Sequence, residues 1–295
     1  MSDYRLENNE FIIENYDSKA PFTSFLPGLT GEDGIPLWSF YVNRGQCLTS
    51  FGIEKKENPI MEFQPAVIAY ENTSLKGFRT FIRKNDEYFE PFSANYDAKV
   101  KRTMRIKANS FRIIETDYTH NFKTEITYFI LPHEPFGALV RNVTFTNLGE
   151  EADFEILDGM SRIIPYGIPG TKFTTMANLM RSYNTVSNLK NDVPLFFSRI
   201  ESDDAAEMKE NVGGYYYMCF DNNGTICPIY DPCALFENET SLQFPINFIM
   251  HGLKFVAGYS QHFTNKISCA FAPMAKKLST NQNYTLSTLC GFAHN

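Results

Sequence analysis

The sequence predicts an all-β protein, a large antiparallel β-sandwich with few helices. Three observations lead there. Aromatic and β-branched residues recur in short runs that alternate with polar ones, the period of a half-buried strand. Turn-forming residues punctuate those runs at short intervals, and helical periodicity is sparse. With 295 residues, 43% hydrophobic and 21% charged, the chain is ordinary globular material, long enough to bury a substantial core. No Pro/Gly/Ser linker divides it and no repeat is visible, so residues 1–295 read as one β-rich domain.

The stretch from Pro21 to Gly52 comes first, because the chain's only tryptophan, Trp38, stands there among Pro27, Gly28, Gly31, Asp33, Gly34 and Pro36. A polar knot, Asn43-Arg44-Gly45-Gln46, follows between Tyr41 and Phe51. Aromatic faces beside an arginine and two amides suit a sugar, whose apolar ring face stacks while its hydroxyls take planar donors and acceptors. A glycine-rich turn packed under a buried tryptophan suits the same composition. Both readings stay open.

Further along, 61–70 (MEFQPAVIAY) starts with strand alternation, and Pro65 reads as an edge or a bend. In 77–84, Phe78, Thr80 and Ile82 fall on one face, with Arg79, Phe81 and Arg83 on the other. Residues 101–107, 110–117 and 123–131 keep the same period. Residues 138–163 read as a hairpin turning at Asn147–Glu151, with Arg141, Val143 and Phe145 on one face and Phe154, Ile156 and Asp158 opening the return strand. Strands are also expected at 196–202, 215–221, 248–260, 266–273 and 284–295. For 171–190, with Phe173, Met176, Leu179 and Met180 at helical spacing, a helix and an extended loop fit equally. A short helical turn is expected near 203–214, capped by Asp203 or Asp204 and stopped by Gly213.

The net charge of −7 argues against a nucleic-acid partner, which needs a concentrated basic face. The one basic run, Lys99–Lys107, alternates as a solvated strand face would. The acidic N-terminus lacks the basic and apolar regions of a secretory signal, and no apolar run is long enough to span a bilayer. A cytoplasmic protein without a membrane partner is the expectation, with its six cysteines reduced and its five Asn-X-Ser/Thr sites unused. Catalytic motifs fail in turn. There is no GxSxG elbow, no GxxxxGK[ST] cradle and no histidine spacing for a metal. The acid candidates (Glu32 with Asp33, Asp203 with Asp204, and Asp231) lie in polar segments where exposed loop acids are the default. No cofactor, no metal and no catalytic residue are expected. Alternation running to the last residues suggests a chain cut near another domain.

The segment 22–53, FTSFLPGLTGEDGIPLWSFYVNRGQCLTSFGI, followed by MEFQPA (61–66), GFRTFI (77–82), FEPF (89–92), TNLGEEADFEILDG (146–159) and YDPCALFENETSL (230–242), resembles the N-terminal portion of cellobiose-phosphorylase-like proteins. These belong to glycoside hydrolase families 94 and 161, the latter acting on β-1,3-glucan oligosaccharides; the likeness leans to 161 and covers essentially the whole chain. It implies a galactose-mutarotase-like supersandwich that precedes a helical linker, an (α/α)6 catalytic barrel and a small β-domain. It also implies an inverting reaction in which inorganic phosphate attacks the anomeric carbon while an aspartate of the barrel protonates the leaving oxygen. The barrel is absent from residues 1–295. The chain alone is therefore expected to be inactive and its parent to be a glycosyltransferase. Its expected partners are the barrel, a β-glucan oligosaccharide and, as an option, a second copy.

Two readings follow: a non-catalytic domain that shapes the active site or dimer interface, or a free-standing carbohydrate-binding sandwich. A mutarotase-like enzyme is a weaker third, since it needs a histidine and a carboxylate on one face. The candidate binding or interface residues are Trp38, Tyr41, Asn43, Arg44, Gln46 and Arg79.

Overall fold

The computed structural model describes residues 3–32, 34–94, 97–169, 172, 175–200, 211 and 213–294. Of the turn expected near 203–214, residues 203–210 and 212 lie outside the described residues, as do the acids Asp33, Asp203 and Asp204, and Phe173.

Among the described residues, three antiparallel sheets surround the main core. The largest runs from edge to edge as β1 (Tyr4–Glu7), β2 (Glu10–Glu14), β10 (Val100–Ile106), β11 (Ser110–Asp117), β12 (Phe122–Ile130), β13 (Leu139–Asn147), β20 (Asn283–His294), β17 (Gly213–Asp221), β16 (Leu195–Ser198) and β15 (Asn184–Ser187), with β18 (Gly224–Ile226) paired to β17. A second sheet is ordered β19 (Ser268–Leu278), β14 (Ala152–Ile163), β8 (Phe78–Lys84) and β9 (Glu87–Phe89). The third is β3 (Thr23–Phe25), β5 (Ile35–Val42), β6 (Leu48–Ile53) and β7 (Pro59–Met61), with β4 (Leu29–Thr30) against β5. All-β sandwich architecture with few helices is what the alternation predicted. Rings interlock between the large sheet and both smaller ones: Tyr41 stacks on Phe111 at 4.2 Å, and Phe122 meets Phe154 at 5.1 Å. Close packing of large apolar side chains is the main source of stability here, about 1.5–3 kcal/mol for each fully buried one.

The predicted hairpin at 138–163 is instead an arch. β13 pairs with β12 and β20, and β14 pairs with β8 and β19, so the turn carries the chain from one sheet to another. Buried Asn147 shapes the crossing: its Nδ2 donates to the carbonyls of Glu150 and Leu278, and its Oδ1 accepts from the Gly149 amide. The face assignments hold, but the two inward stripes oppose one another across the core rather than lying side by side.

That opposition brings Arg141 to Asp158, both almost wholly buried, 1% and 0% exposed. Arg141 Nη1 and Nη2 both donate to the Asp158 carboxylate, and Nη2 also donates to Gln46 Oε1 at 2.6 Å. Its Nε donates to the Tyr128 hydroxyl at 3.2 Å, and the guanidinium lies over the Phe78 ring at 4.8 Å. Gln46 Nε2 donates to Thr80 Oγ1, which donates to Asp158 Oδ1. Five side chains from several elements thus close one network inside the sandwich.

Two segments expected as strands are helical. Residues 246–257 form a helix because the buried positions Phe248, Gly252, Leu253 and Val256 repeat at helical spacing; the bulky residues between them had suggested a strand. Gly252 kinks this helix at φ 75°, and a Cβ there would meet Arg83 Nη1 at 2.1 Å, so only glycine fits. Within 61–70 the strand ends at Met61 and a helix starts at Ala66 after Pro65, where a missing N–H costs nothing. In order, the helices are α1 (Ala66–Lys76), α2 (Ala177–Arg181), α3 (Cys233–Phe236) and α4 (Ile246–Ala257). α2 occupies part of the ambiguous 171–190, and β15 follows it. α3 and α4 pack Leu235, Phe236, Phe248 and Leu253 on Phe81, Leu157 and Phe271, so β8 is buried on both faces. No helix among the described residues is long and apolar enough to cross a membrane. The basic run at 99–107 is largely paired: Arg102 with Glu115 and Asp17, Arg105 and Lys107 with Glu10.

A second polar tie joins the layers at Asp221, at the end of β17. It accepts from Lys276 Nζ on β19 and from the Tyr284 hydroxyl on β20, both at 3.0 Å, and from the Asn223 amide at 2.7 Å. Burial opposes its charge, but these donors outweigh it and hold the carboxyl at about 2.

Arg141→Met should cost about 3–5 kcal/mol, because Asp158 is left buried and unpaired. Adding Asp158→Leu should recover much of that, and urea titration of both variants measures it. Asp221, with its folded pKa below the unfolded value, stabilises above about pH 4 and loses that contribution as pH falls through about 2. Asp221→Asn should therefore cost about 2 kcal/mol at neutral pH and almost nothing at pH 2, read from thermal melts across that range.

Candidate functional site

The alternation of β5 decides where its residues go. Leu37, Ser39 and Tyr41 point into the core, and Trp38 and Phe40 point out. Trp38 is half-buried, with its Nε1 donating to the Lys55 carbonyl at 2.9 Å. Its ring meets Phe63 edge-on at 5.7 Å and Phe40 at 6.2 Å, and Phe40 lies 6.0 Å from Phe63. Gly52 sits opposite Trp38 on β6, where a Cβ would come within 2.5 Å of the indole, so the ring lies flat across the strand. Phe25 pairs in register with Phe40 and is 68% exposed; Phe63 is 46% exposed. Val67 and Ile68 at the start of α1 are exposed too. The outer face of this sheet is aromatic and open to solvent, an unusual use of large side chains.

Four of the six candidate residues belong to the interior. Tyr41 stacks on Phe111 in the core. Asn43, fully buried, donates from Nδ2 to the carbonyls of Tyr16, Lys19 and Ala20 and accepts the Phe22 amide on Oδ1, holding the 15–22 segment to the end of β5. Gln46 is bound into the Arg141–Asp158 network. Arg79 donates from Nε and Nη2 to the two oxygens of Glu90 and also bonds the carbonyls of Leu242 and Gln243. Burial pushes the Glu90 carboxyl up despite the pull of Arg79. These polar side chains pin loops, and none of the four faces outward.

Arg44 is the exception within the knot. It is partly exposed; its guanidinium lies over the Tyr70 ring at 4.9 Å, and its Nη1 donates to the Asn43 carbonyl at 3.2 Å. Gly45, at φ 52°, lets the loop approach Ser74 of α1, with only 3.0 Å from a notional Cβ to the Ser74 Cα. Arg44 lines a groove of about 530 Å³ together with Asn15, Asp17, Ser74, Lys101 and Arg102. Trp38 is not part of that groove. The tryptophan and the arginine therefore serve two different surfaces, and the candidates Trp38, Tyr41, Asn43, Arg44 and Gln46 do not converge on one sugar pocket.

Sequence reasoning passed over Arg141 as a functional position, although an arginine in phase with Val143 and Phe145 signals a buried charge that needs a partner. It also read Asp231 as an exposed loop acid. Asp231 is fully buried and bonded to Lys266 Nζ at 2.9 and 3.0 Å, whereas Glu32 is exposed as expected. Among the described residues no group of three or more His, Cys, Asp or Glu side chains is placed to hold a metal ion.

No model of a known protein family matches the chain, and no curated protein sequence matches it. Solved structures overlap it at low scores. A polysaccharide lyase gives a TM-score of 0.46 at 10% identity, over 88% of this chain and 33% of the lyase. A candidate kojibiose phosphorylase from the human microbiome gives 0.41 at 8%, over 99% of this chain and 33% of the phosphorylase. A candidate aldose 1-epimerase from Escherichia coli K12 gives 0.42 at 7%, over 93% of this chain and 100% of the epimerase. The chain thus spans about a third of the length of the first two. All three names are those of proteins acting on carbohydrates; overlaps at these scores establish no common topology.

Asn43→Ala should destabilise the fold by at least about 2 kcal/mol, because a buried amide and three carbonyls lose their partner. Arg44→Ala should cost under about 1 kcal/mol, the size of an exposed cation–π contact. Chemical denaturation of the two variants separates the structural residue from the surface one.

Proposed function

We propose that this chain is the non-catalytic N-terminal β-sandwich of an inverting β-glucoside or β-glucan phosphorylase, working in cytoplasmic carbohydrate metabolism. In that reading residues 1–295 form one domain that packs on a helical catalytic barrel, and phosphate and the oligosaccharide are handled by the barrel. The observation that favours it is the outward-facing aromatic group of Trp38, Phe40 and the exposed Phe63, with the exposed Phe25 in register beside Phe40. Trp38 and Phe40 lie in the 22–53 segment whose residues suggested the phosphorylase resemblance. Contiguous exposed aromatic surface marks a contact between domains or proteins. Arg44, half free at its groove, stands near by in sequence as the residue to reach a neighbouring active site or dimer partner.

A second reading, a free-standing carbohydrate-binding sandwich, is favoured by the groove at Arg44, whose hydroxyl, amide and charged lining suits a polyhydroxylated ligand.

The gene downstream of Asn295 is the first test: a reading frame continuing into helical hairpins supports the domain reading, and a stop codon there overturns it. In the extended protein, Phe63→Ser with Phe25→Ser should weaken release of glucose 1-phosphate from β-glucan oligosaccharide and phosphate by at least tenfold, about 1.4 kcal/mol. The 295-residue chain alone should release none. For the second reading, titrating laminari-oligosaccharides should give saturable binding that Arg44→Ala weakens; no binding at millimolar ligand sinks it.

A further inference from the structure

Away from both surfaces, a cysteine and a lysine meet over a buried carboxylate. Asp231 accepts the backbone amides of Cys233 at 3.0 Å and His262 at 2.9 Å, besides the two bonds from Lys266 Nζ. The same ammonium donates to Cys233 Sγ at 3.4 Å. Burial opposes the Lys266 charge, but Asp231 and Cys233 raise its pKa, so a cation stands beside the sulfur. Both side chains are partly exposed. Cys47, Cys219, Cys269 and Cys290 are buried, and the exposed Cys227 lies against the Pro228 carbonyl at 3.9 Å and interacts with Asp192, its pKa raised by burial and by that negative charge.

We infer that Cys233 and Lys266 form a reversible covalent cross-link when the protein meets hydrogen peroxide. Cys233 Sγ, giving up its proton, attacks one peroxide oxygen, the O–O bond breaks, and the departing hydroxide takes that proton to leave as water. This makes Cys233 a sulfenic acid, with the sulfur oxidised and the peroxide reduced by two electrons. Lys266, having given a proton to solvent past Asp231, attacks the sulfur through Nζ. The S–N bond forms, the S–O bond breaks, and the hydroxyl leaves as water with a second amine proton. The balance is thiol plus ammonium plus peroxide giving a sulfenamide, two waters and a proton. Sγ and Nζ already lie 3.4 Å apart, so the two reacting atoms are neighbours before oxidation. A thiol reductant reverses the link.

The link would close the chain between 233 and 266, a loop that includes α4. Because Cys233 opens α3 and its carbonyl accepts Asn247 Nδ2 of α4, oxidation would lock the helical cover onto the second sheet. This inference does not depend on the phosphorylase reading.

The test uses the full chain with Cys227→Ser, which excludes a disulfide between Cys227 and Cys233. After peroxide treatment, proteolysis and mass spectrometry should find the peptide of Cys233 joined to that of Lys266. The joined mass should equal the two peptides less two hydrogens, it should separate with dithiothreitol, and the oxidised protein should melt at higher temperature. Lys266→Arg keeps the ion pair but offers a poor nucleophile. In it the joined peptide should fall at least tenfold while Cys233 proceeds to sulfinic acid. Equal over-oxidation of Cys233 in both proteins, with no joined peptide in either, overturns the inference. Should Lys266→Arg fail to fold, the peptide map of the Cys227→Ser protein decides alone.

Discussion

The ion pair between Arg141 and Asp158 is the constraint on which the rest of the sandwich depends. Two charges buried among Phe78, Tyr128 and their neighbours are expensive unless each finds its partner and its remaining hydrogen bonds. Arg141 lies in the large sheet and Asp158 in the second, on strands joined by a short arch. The stacking of the sheets satisfies both at one point. Gln46 and Thr80 then fill the remaining donor and acceptor sites, which binds the third sheet to the same point. Apolar packing tolerates many arrangements of similar volume; a closed polar network tolerates few.

That demand explains the polar knot after β5. Along Asn43-Arg44-Gly45-Gln46, Asn43 ties down the 15–22 segment, Gln46 completes the buried pair, and Arg44 between them turns out over Tyr70. Gly45 absorbs the backbone turn that separates the two directions. An amide that is spoken for by the core is unavailable to a ligand, so the surface chemistry of this region reduces to Arg44 and to the aromatic face on the far side of β5.

The second sheet repeats the pattern on its outer side. β8 carries Phe78, Thr80 and Ile82 toward the core and Arg79, Phe81 and Arg83 toward α3 and α4. Arg79 holds the 242–243 loop through its carbonyls and Glu90 through a bidentate pair, and Asp231 gathers α3, the 261–262 turn and Lys266. The polar groups that resembled site residues in the sequence are mostly clamps for irregular backbone. The Cys233–Lys266 contact is a by-product of one such clamp, with reactivity of its own.

The sequence by itself determined the all-β class and which residues share a strand face. Arg141, Val143 and Phe145 face inward because side chains alternate along any strand, whatever its partner. It also drew attention to Trp38 and Arg44, which the fold leaves half-buried on two different surfaces. What only the tertiary structure decided is which elements meet. Alternation is a local property and is identical in a hairpin and in an arch, so it could not separate β13 from β14 into different sheets. The run 246–257 became a helix because the outer faces of β8, β14 and β19 needed covering. Asn43, Gln46, Arg79 and Asp231 were claimed by backbone and side chains 11 to 164 residues away. Those partnerships follow from three-dimensional proximity, and nothing in a residue's own neighbourhood announces whether its hydrogen bonds will go to a loop, to a buried arginine or to a ligand.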